Sequence, residues 1–323
     1  MYHSFFLRLK ALPFAFSALF LVEQLRRAGK LPPIGELAKG KLDPILTGRY
    51  GTAIPQLAFG LYMVPPTVEG ERIVADAIAA GYRHFDTASF YGNEKILGLA
   101  IKKSGISREH FFICSKVWND AQKMGRKAVR ESVEKSLAEL DCGGYFDLFY
   151  IHWPVTGHFV DTYKELQELC IEGKIRQIGL SNFGIQEYSE LKSDAEITIL
   201  PTVNQIEVSP FIYRPKTIEF FQEQGVLVAA SKALHRGAGI DDGIVKEIAD
   251  SHSVTPAQVM LRWLYEKRII VVSKTSNKSR MQENRKILQF ALKESETSML
   301  DSLTTEEDIR RRERLEIERR NGV

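Results

Sequence analysis

From about Gly48 onward the sequence keeps one rhythm: a short apolar, β-branched run, then a longer stretch of helical period. The runs at 57–61, 83–86, 111–116, 147–152, 175–181, 202–205, 226–231 and 269–273 read as eight strands. Helices are predicted at 71–80, 94–103, 126–140, 160–172, 185–192, 214–224, 255–267 and 280–288, with a shorter segment at 243–252. Strict alternation implies parallel strands, because each helix carries the chain back to the end where the next strand starts. Eight such units over roughly 250 residues predict an α/β fold, a closed (β/α)8 barrel. The rival, an open doubly wound sheet, usually announces itself with G-x-G-x-x-G after its first strand. Here Gly60 is followed by Leu61, Tyr62, Met63, Val64 and Pro65, so that loop is missing. Local signals agree with the barrel. Thr255, Pro256 and Gln258 form a capping-box pattern, and Gly81, Gly173 and Gly225 sit where helices should end.

Charge excludes some functions. The 44 Lys+Arg and 41 Asp+Glu nearly cancel, leaving +3, which gives no field suited to bulk nucleic-acid binding. Cys114, Cys142 and Cys170 form no C-x-x-C pair, so neither a zinc site nor a disulfide framework is expected. Residues 1–47 read as an extension ahead of one domain at 48–305, and 306–323 as a charged tail whose stretch 306–320, alternating acids and arginines, reads as a solvated helix and not a core element. Within 1–30, five cations face the single acid Glu23, around a twelve-residue apolar run ending at Val22. That run is short of the about 20 residues of a membrane span. The expectation is a cytoplasmic monomer. The alternative is organelle targeting or anchoring through residues 1–30, with membrane contact confined to 5–22. The sequon at Asn277 argues against secretion, because its loop is assigned to cofactor binding below.

In such a barrel, chemistry collects at the C-terminal ends of the strands and the loops that follow. Tyr62, Asp86, Lys116, His152, Ser181, Asn182, Gln205, Ser231 and Lys274 all fall there, and Tyr91 lies just beyond Asp86. Singly, each has a plain structural explanation: Asp86 as a turn cap, Tyr91 as a packed aromatic, His152 as a satisfied core histidine. Lys116 resists one, since a lysine after four apolar residues needs a carboxylate partner or a lowered pKa. Asp86 on the neighbouring strand can be that partner. A lysine beside Tyr91 should lower the phenol's pKa from its ordinary value near 10 and ease proton donation. His152 can orient a carbonyl. Protonating a carbonyl oxygen requires attack at its carbon. With no matched nucleophile and no metal cluster in the sequence, a nicotinamide hydride is the expected reactant. Ser181, Asn182 and Gln205 suit its carboxamide. Lys274 and Arg280, flanking a helix start, suit a 2′-phosphate and hence NADPH. Trp118, Trp153 and Tyr62 are the expected walls of an apolar pocket for a small carbonyl substrate.

These residues, in this order, resemble the aldo-keto reductases over about residues 50–305. The resemblance rests on the segment Gly81–Glu94, Lys116 with Trp118, His152 with Trp153, the run to Ser181 and Asn182, Gln205 with Glu207, and Lys274 through Asn284. It implies a (β/α)8 barrel using NADP(H), with Tyr91 as proton donor and Asp86, Lys116 and His152 completing a tetrad. It also implies Ser231 and Leu234 on the cofactor face, Thr275 beside Lys274 and Arg280 on the 2′-phosphate, and Glu283 and Asn284 on the adenine. The chain departs from the pattern at Ser231, where a tyrosine usually stacks on the nicotinamide. Tyr62 stands where a pocket tryptophan is common, Ser273 where a proline precedes the lysine, and the tail lacks pocket-closing aromatics. The alternative to an enzyme is a non-catalytic, NADPH-binding regulatory barrel; an unrelated barrel chemistry is a third reading.

Overall fold

A computed structural model describes residues 44–320. β3 (Leu57–Gly60), β4 (His84–Asp86), β5 (Phe112–Val117), β6 (Leu148–Ile151), β7 (Ile178–Ser181), β8 (Val203–Glu207), β9 (Leu227–Ser231) and β10 (Ile270–Ser273) close into a parallel barrel in sequence order, β10 pairing back onto β3. The predicted α/β barrel is therefore the observed fold. Its strands are buried on both faces, as a sheet with helices outside and side chains inside requires. Phe112, Cys114, Leu148, Tyr150, Val203 and Ile270 fill the interior at the N-terminal end. Gly179 makes room there for Tyr150: a β-carbon on it would lie 2.4 Å from that ring.

Two features were not foreseen. β1 (Ile45–Thr47) and β2 (Ala53–Pro55) pair antiparallel, and their Leu46 and Ile54 pack into the interior cluster. They cover the N-terminal end of the barrel, opposite the strand ends that carry the chemistry. Three-residue strands are too short to show a period of two. Short helices at Asn119–Lys123 and Glu294–Asp301 also appear, in loops with no apolar period.

Helix limits move where capping decides them. The last barrel helix runs Lys278–Arg285, because the Asn277 side chain accepts from the amides of Ser279 (2.9 Å) and Arg280 (3.2 Å). Thr255 and Gln258 make the expected reciprocal box, at 3.3 and 3.0 Å. The tail is helical over Glu306–Arg320, but the expectation of a wholly solvated element fails at Arg312. That side chain is buried, and its guanidinium lies 2.7 Å from the equally buried carboxylate of Glu207, the last residue of β8. Among the described residues no helix is long and apolar enough to cross a membrane. Residues 1–43, and with them the proposed targeting segment, lie outside the described residues.

Candidate active site

Side chains alternate along a strand. On β5 that sends Phe112, Cys114 and Lys116 to the interior, the last of them nearest the C-terminal mouth. Lys116 is fully buried. Its ammonium donates to both oxygens of Asp86, 2.6 Å to Oδ2, and to the carbonyl of Thr87 at 2.8 Å. Across the barrel, the Gln205 amide donates to the same carboxylate at 3.1 and 3.2 Å. Burial acts to lower the lysine's pKa, but Asp86, then Tyr91, outweigh it and hold it above its ordinary value. The charge is therefore fixed inside the protein by its neighbours.

Tyr91 ends a 3₁₀ turn, Ser89–Tyr91, closed by Gly92 at a φ of 65°. Lys116 Nζ lies 5.3 Å from its ring centre, and the His152 ring stands edge-on at 5.8 Å. Burial raises the tyrosine's pKa and Lys116 lowers it, and burial wins, so the phenol sits above its ordinary value. This reverses the expectation that the lysine prevails, because the cost of desolvating the phenolate exceeds the stabilisation by Lys116. The result is a phenol that keeps its proton at neutral pH. His152 is buried, and burial followed by Lys116 pushes its pKa well below the ordinary 6.5, so the imidazole is neutral. The structure thus brings Asp86, Tyr91, Lys116 and His152 into one cluster.

Ser181, Asn182 and Gln205 lie beside it, on β7, just after it and on β8. Asn182 holds a φ of 62°, an uncommon conformation for a non-glycine residue. Its amide nitrogen donates to the His152 carbonyl at 2.9 Å and to Ser181 Oγ at 3.0 Å. With the nitrogens of Asn182 and Gln205 engaged by protein, two amide oxygens and the Ser181 hydroxyl proton remain without a partner among the described residues. Two acceptors and one donor match the two N–H groups and one carbonyl of a primary carboxamide.

Lys274 and Arg280 are exposed, and among the described residues neither pairs with a carboxylate. Lys274 instead donates to Ser276 at 3.0 Å, and Thr275 accepts from the amide of Asn277 at 3.1 Å. This open positive rim at a helix start fits a phosphate. Asn284 is buried beside it, while Glu283 accepts from Thr255 Oγ1 at 2.9 Å and is tied to the neighbouring cap. Ser231 and Leu234, on β9 and the turn after it, are half-buried.

Around the mouth, Tyr62 meets Tyr91 edge-on at 5.2 Å, and Trp118 meets His152 at 4.8 Å. Trp153 gives its carbonyl to Gln122 at 3.0 Å. Phe90, which the sequence reading passed over, stacks on Trp118 at 4.0 Å with 18° between the planes. The available signal was its place next to Tyr91: a turn that buries one ring leaves the adjacent one at the rim. Also missed were Glu207, Lys232 and Arg312. Their acid and bases lie far apart in sequence and meet only in the fold.

Comparison with known proteins bears on the whole arrangement. The sequence matches the profile of the Aldo/keto reductase family over residues 57–239 and 241–305. A glyoxal reductase of Bacillus subtilis is 37% identical over 259 residues, covering 80% of this chain and 92% of its own. A methylglyoxal reductase of Salmonella typhimurium is 34% identical over 260 residues, covering 78% and 90%. Among solved structures, the aldose reductase from Schistosoma japonicum superposes with a TM-score of 0.75 at 33% identity, covering 81% of this chain and 93% of that one. An aldo/keto reductase from Brucella melitensis gives 0.76 at 33%, covering 81% and 99%.

Proposed function

The chain belongs to the aldo/keto reductase family, oxidoreductases that act on carbonyl compounds, and on that premise we propose that it reduces aldehydes and ketones with NADPH, using Tyr91 as proton donor. The observation that carries this is the buried Lys116 ammonium, held by Asp86 on one side and lying against Tyr91 on the other. Ser181, Asn182 and Gln205 hold the carboxamide, and Lys274, Thr275 and Arg280 take the 2′-phosphate. Ser231 and Leu234 line the cofactor face, with Glu283 and Asn284 towards the adenine. When bound, NADPH supplies a hydride to the carbonyl carbon. The protein's part is the other half of the addition. Neutral His152 orients the carbonyl oxygen, and Tyr91 Oη gives that oxygen its proton. Lys116 steadies the phenolate left behind, and Asp86 keeps Lys116 in place. Tyr62, Phe90, Trp118 and Trp153 offer an aromatic mouth. Relatives that reduce glyoxal and methylglyoxal make short dicarbonyls the first substrates to try.

The test is NADPH oxidation against a panel of aldehydes, ketones and sugars, for wild type and Tyr91→Phe. Loss of the proton donor should lower kcat by about 10²–10⁴-fold. NADPH affinity, read by fluorescence, should stay within about twofold, as expected when an interaction made only in the transition state is removed. Full activity in Tyr91→Phe would overturn the assignment. NADPH binding without turnover of any carbonyl would favour the regulatory barrel.

A further inference from the structure

The family match ends at residue 305, yet the next element is tied to the mouth of the barrel. Thr304 prepares the contact: its hydroxyl donates to the Pro210 carbonyl and accepts from the Tyr213 amide, both at 2.7 Å. Thr305 then caps the helix Glu306–Arg320: its hydroxyl accepts from the amide of Asp308 at 3.2 Å, and the Thr305 amide donates back to the Asp308 carboxylate at 3.0 Å. Two turns on, buried Arg312 reaches Glu207 at 2.7 Å. The same carboxylate oxygen accepts from Lys232 at 2.5 Å. One buried anion therefore joins a β8 end, the turn after β9 and the C-terminal helix. Burial pushes the Glu207 carboxyl up, but Arg312 and Lys232 outweigh it and hold it below its ordinary value.

What the anion holds is unusual. Lys232 has a φ of 53°, His235 47° and Arg236 56°, so three non-glycine residues within five occupy the left-handed region. Such residues keep that conformation only where surrounding contacts enforce it. The turn lies against Phe211, whose ring is 5.5 Å from His235 and would be struck by a β-carbon on Gly239. It also begins directly after Ser231, assigned to the nicotinamide, and contains Leu234, assigned with it to the cofactor face.

We propose that Arg312, acting through Glu207 and Lys232, is a positioning residue for the nicotinamide end of the cofactor cleft. The C-terminal helix thereby takes part in cofactor binding without touching the cofactor. The proposal rests on the NADPH reading above. Its test compares two ligands by quenching of intrinsic fluorescence: NADPH, and adenosine 2′,5′-bisphosphate, which carries the phosphate and adenine but no nicotinamide. Arg312→Ala and Lys232→Met should each raise the Kd for NADPH about tenfold, the loss of one charge-assisted contact. The Kd for the bisphosphate should move less than about twofold, since the phosphate rim is untouched. Arg312→Lys should recover most of the NADPH affinity, and the double variant Arg312→Ala with Lys232→Met should be no worse than the poorer single. Unchanged NADPH binding overturns the proposal. So does a parallel loss of both ligands, which marks general loosening of the fold. A wild-type protein that binds the bisphosphate and NADPH normally, with variants that do the same, sinks the positioning role and leaves the cofactor reading standing. A wild type that binds neither ligand overturns both.

Discussion

The inner end of the cleft and its rim handle charge in opposite ways. Inside, Lys116 is closed off by Asp86 and Thr87, and Asp86 is closed in turn by Gln205. At the rim, Lys274 and Arg280 stand in solvent with no carboxylate partner among the described residues. The difference follows from desolvation. A charge buried in the barrel must be matched by the protein before any ligand arrives, because an unmatched one would cost several kcal/mol. A charge at the surface is matched by water and can wait for its ligand. The inner site is thus part of the fold's stability, and the rim is free to serve binding alone.

The strongest way to break this contrast is Lys116→Met. It leaves Asp86 buried with only Gln205 to answer it, and should destabilise the fold by about 3–5 kcal/mol. Carbonyl reduction should fall by at least about 10²-fold. Asp86→Asn in the same chain removes the stranded carboxylate and should restore part of the stability, measured by urea melts, and none of the activity. Restored activity would make the pair structural only. At the rim the expectation reverses. Arg280→Ala should raise the Kd for NADPH about tenfold, as loss of a charge-assisted phosphate contact does. It should leave NADH binding unchanged and stability within about 0.5 kcal/mol. The effect should also shrink at high salt, since exposed charges are screened. An equal loss for NADH would place the 2′-phosphate elsewhere.

How much of this could be read from the sequence follows the same division. Most of the eight barrel strands are legible as short apolar runs alternating with stretches of helical period, and Lys116 stands out because it interrupts such a run. Thr255 and Gln258 announced their cap, since a capping box is local. The hairpin of β1 and β2 was not legible, because each strand is too short to show its period. The net effect on Tyr91 is not legible either: adjacency to a lysine can be inferred from strand order, but the depth of burial that outweighs it cannot. Glu207 and Arg312 were invisible as a pair. A tail rich in arginine and glutamate looks solvated at every position, and only the fold shows which arginine meets a buried acid.

The smallest effect comes from His152, and it sharpens the same contrast by pH. Burial, then Lys116, holds this imidazole neutral, with a pKa well below 6.5 in the folded protein. Unfolded, it takes a proton near 6.5. Below that pH the unfolded chain binds more protons than the folded one, so stability falls as pH falls, and it continues to fall until the buried ring itself titrates. At pH 6 the loss from this one group should be about 0.8 kcal/mol. Urea melts of wild type and His152→Gln at pH 7.5 and pH 6 isolate it, because titrations elsewhere are common to both. The wild type should lose more stability than the variant over that interval, by about that amount. Equal losses would mean that His152 is reached by water and charges like an exposed histidine. The inner end of the cleft would then not be the dry, internally matched site that separates it from the rim.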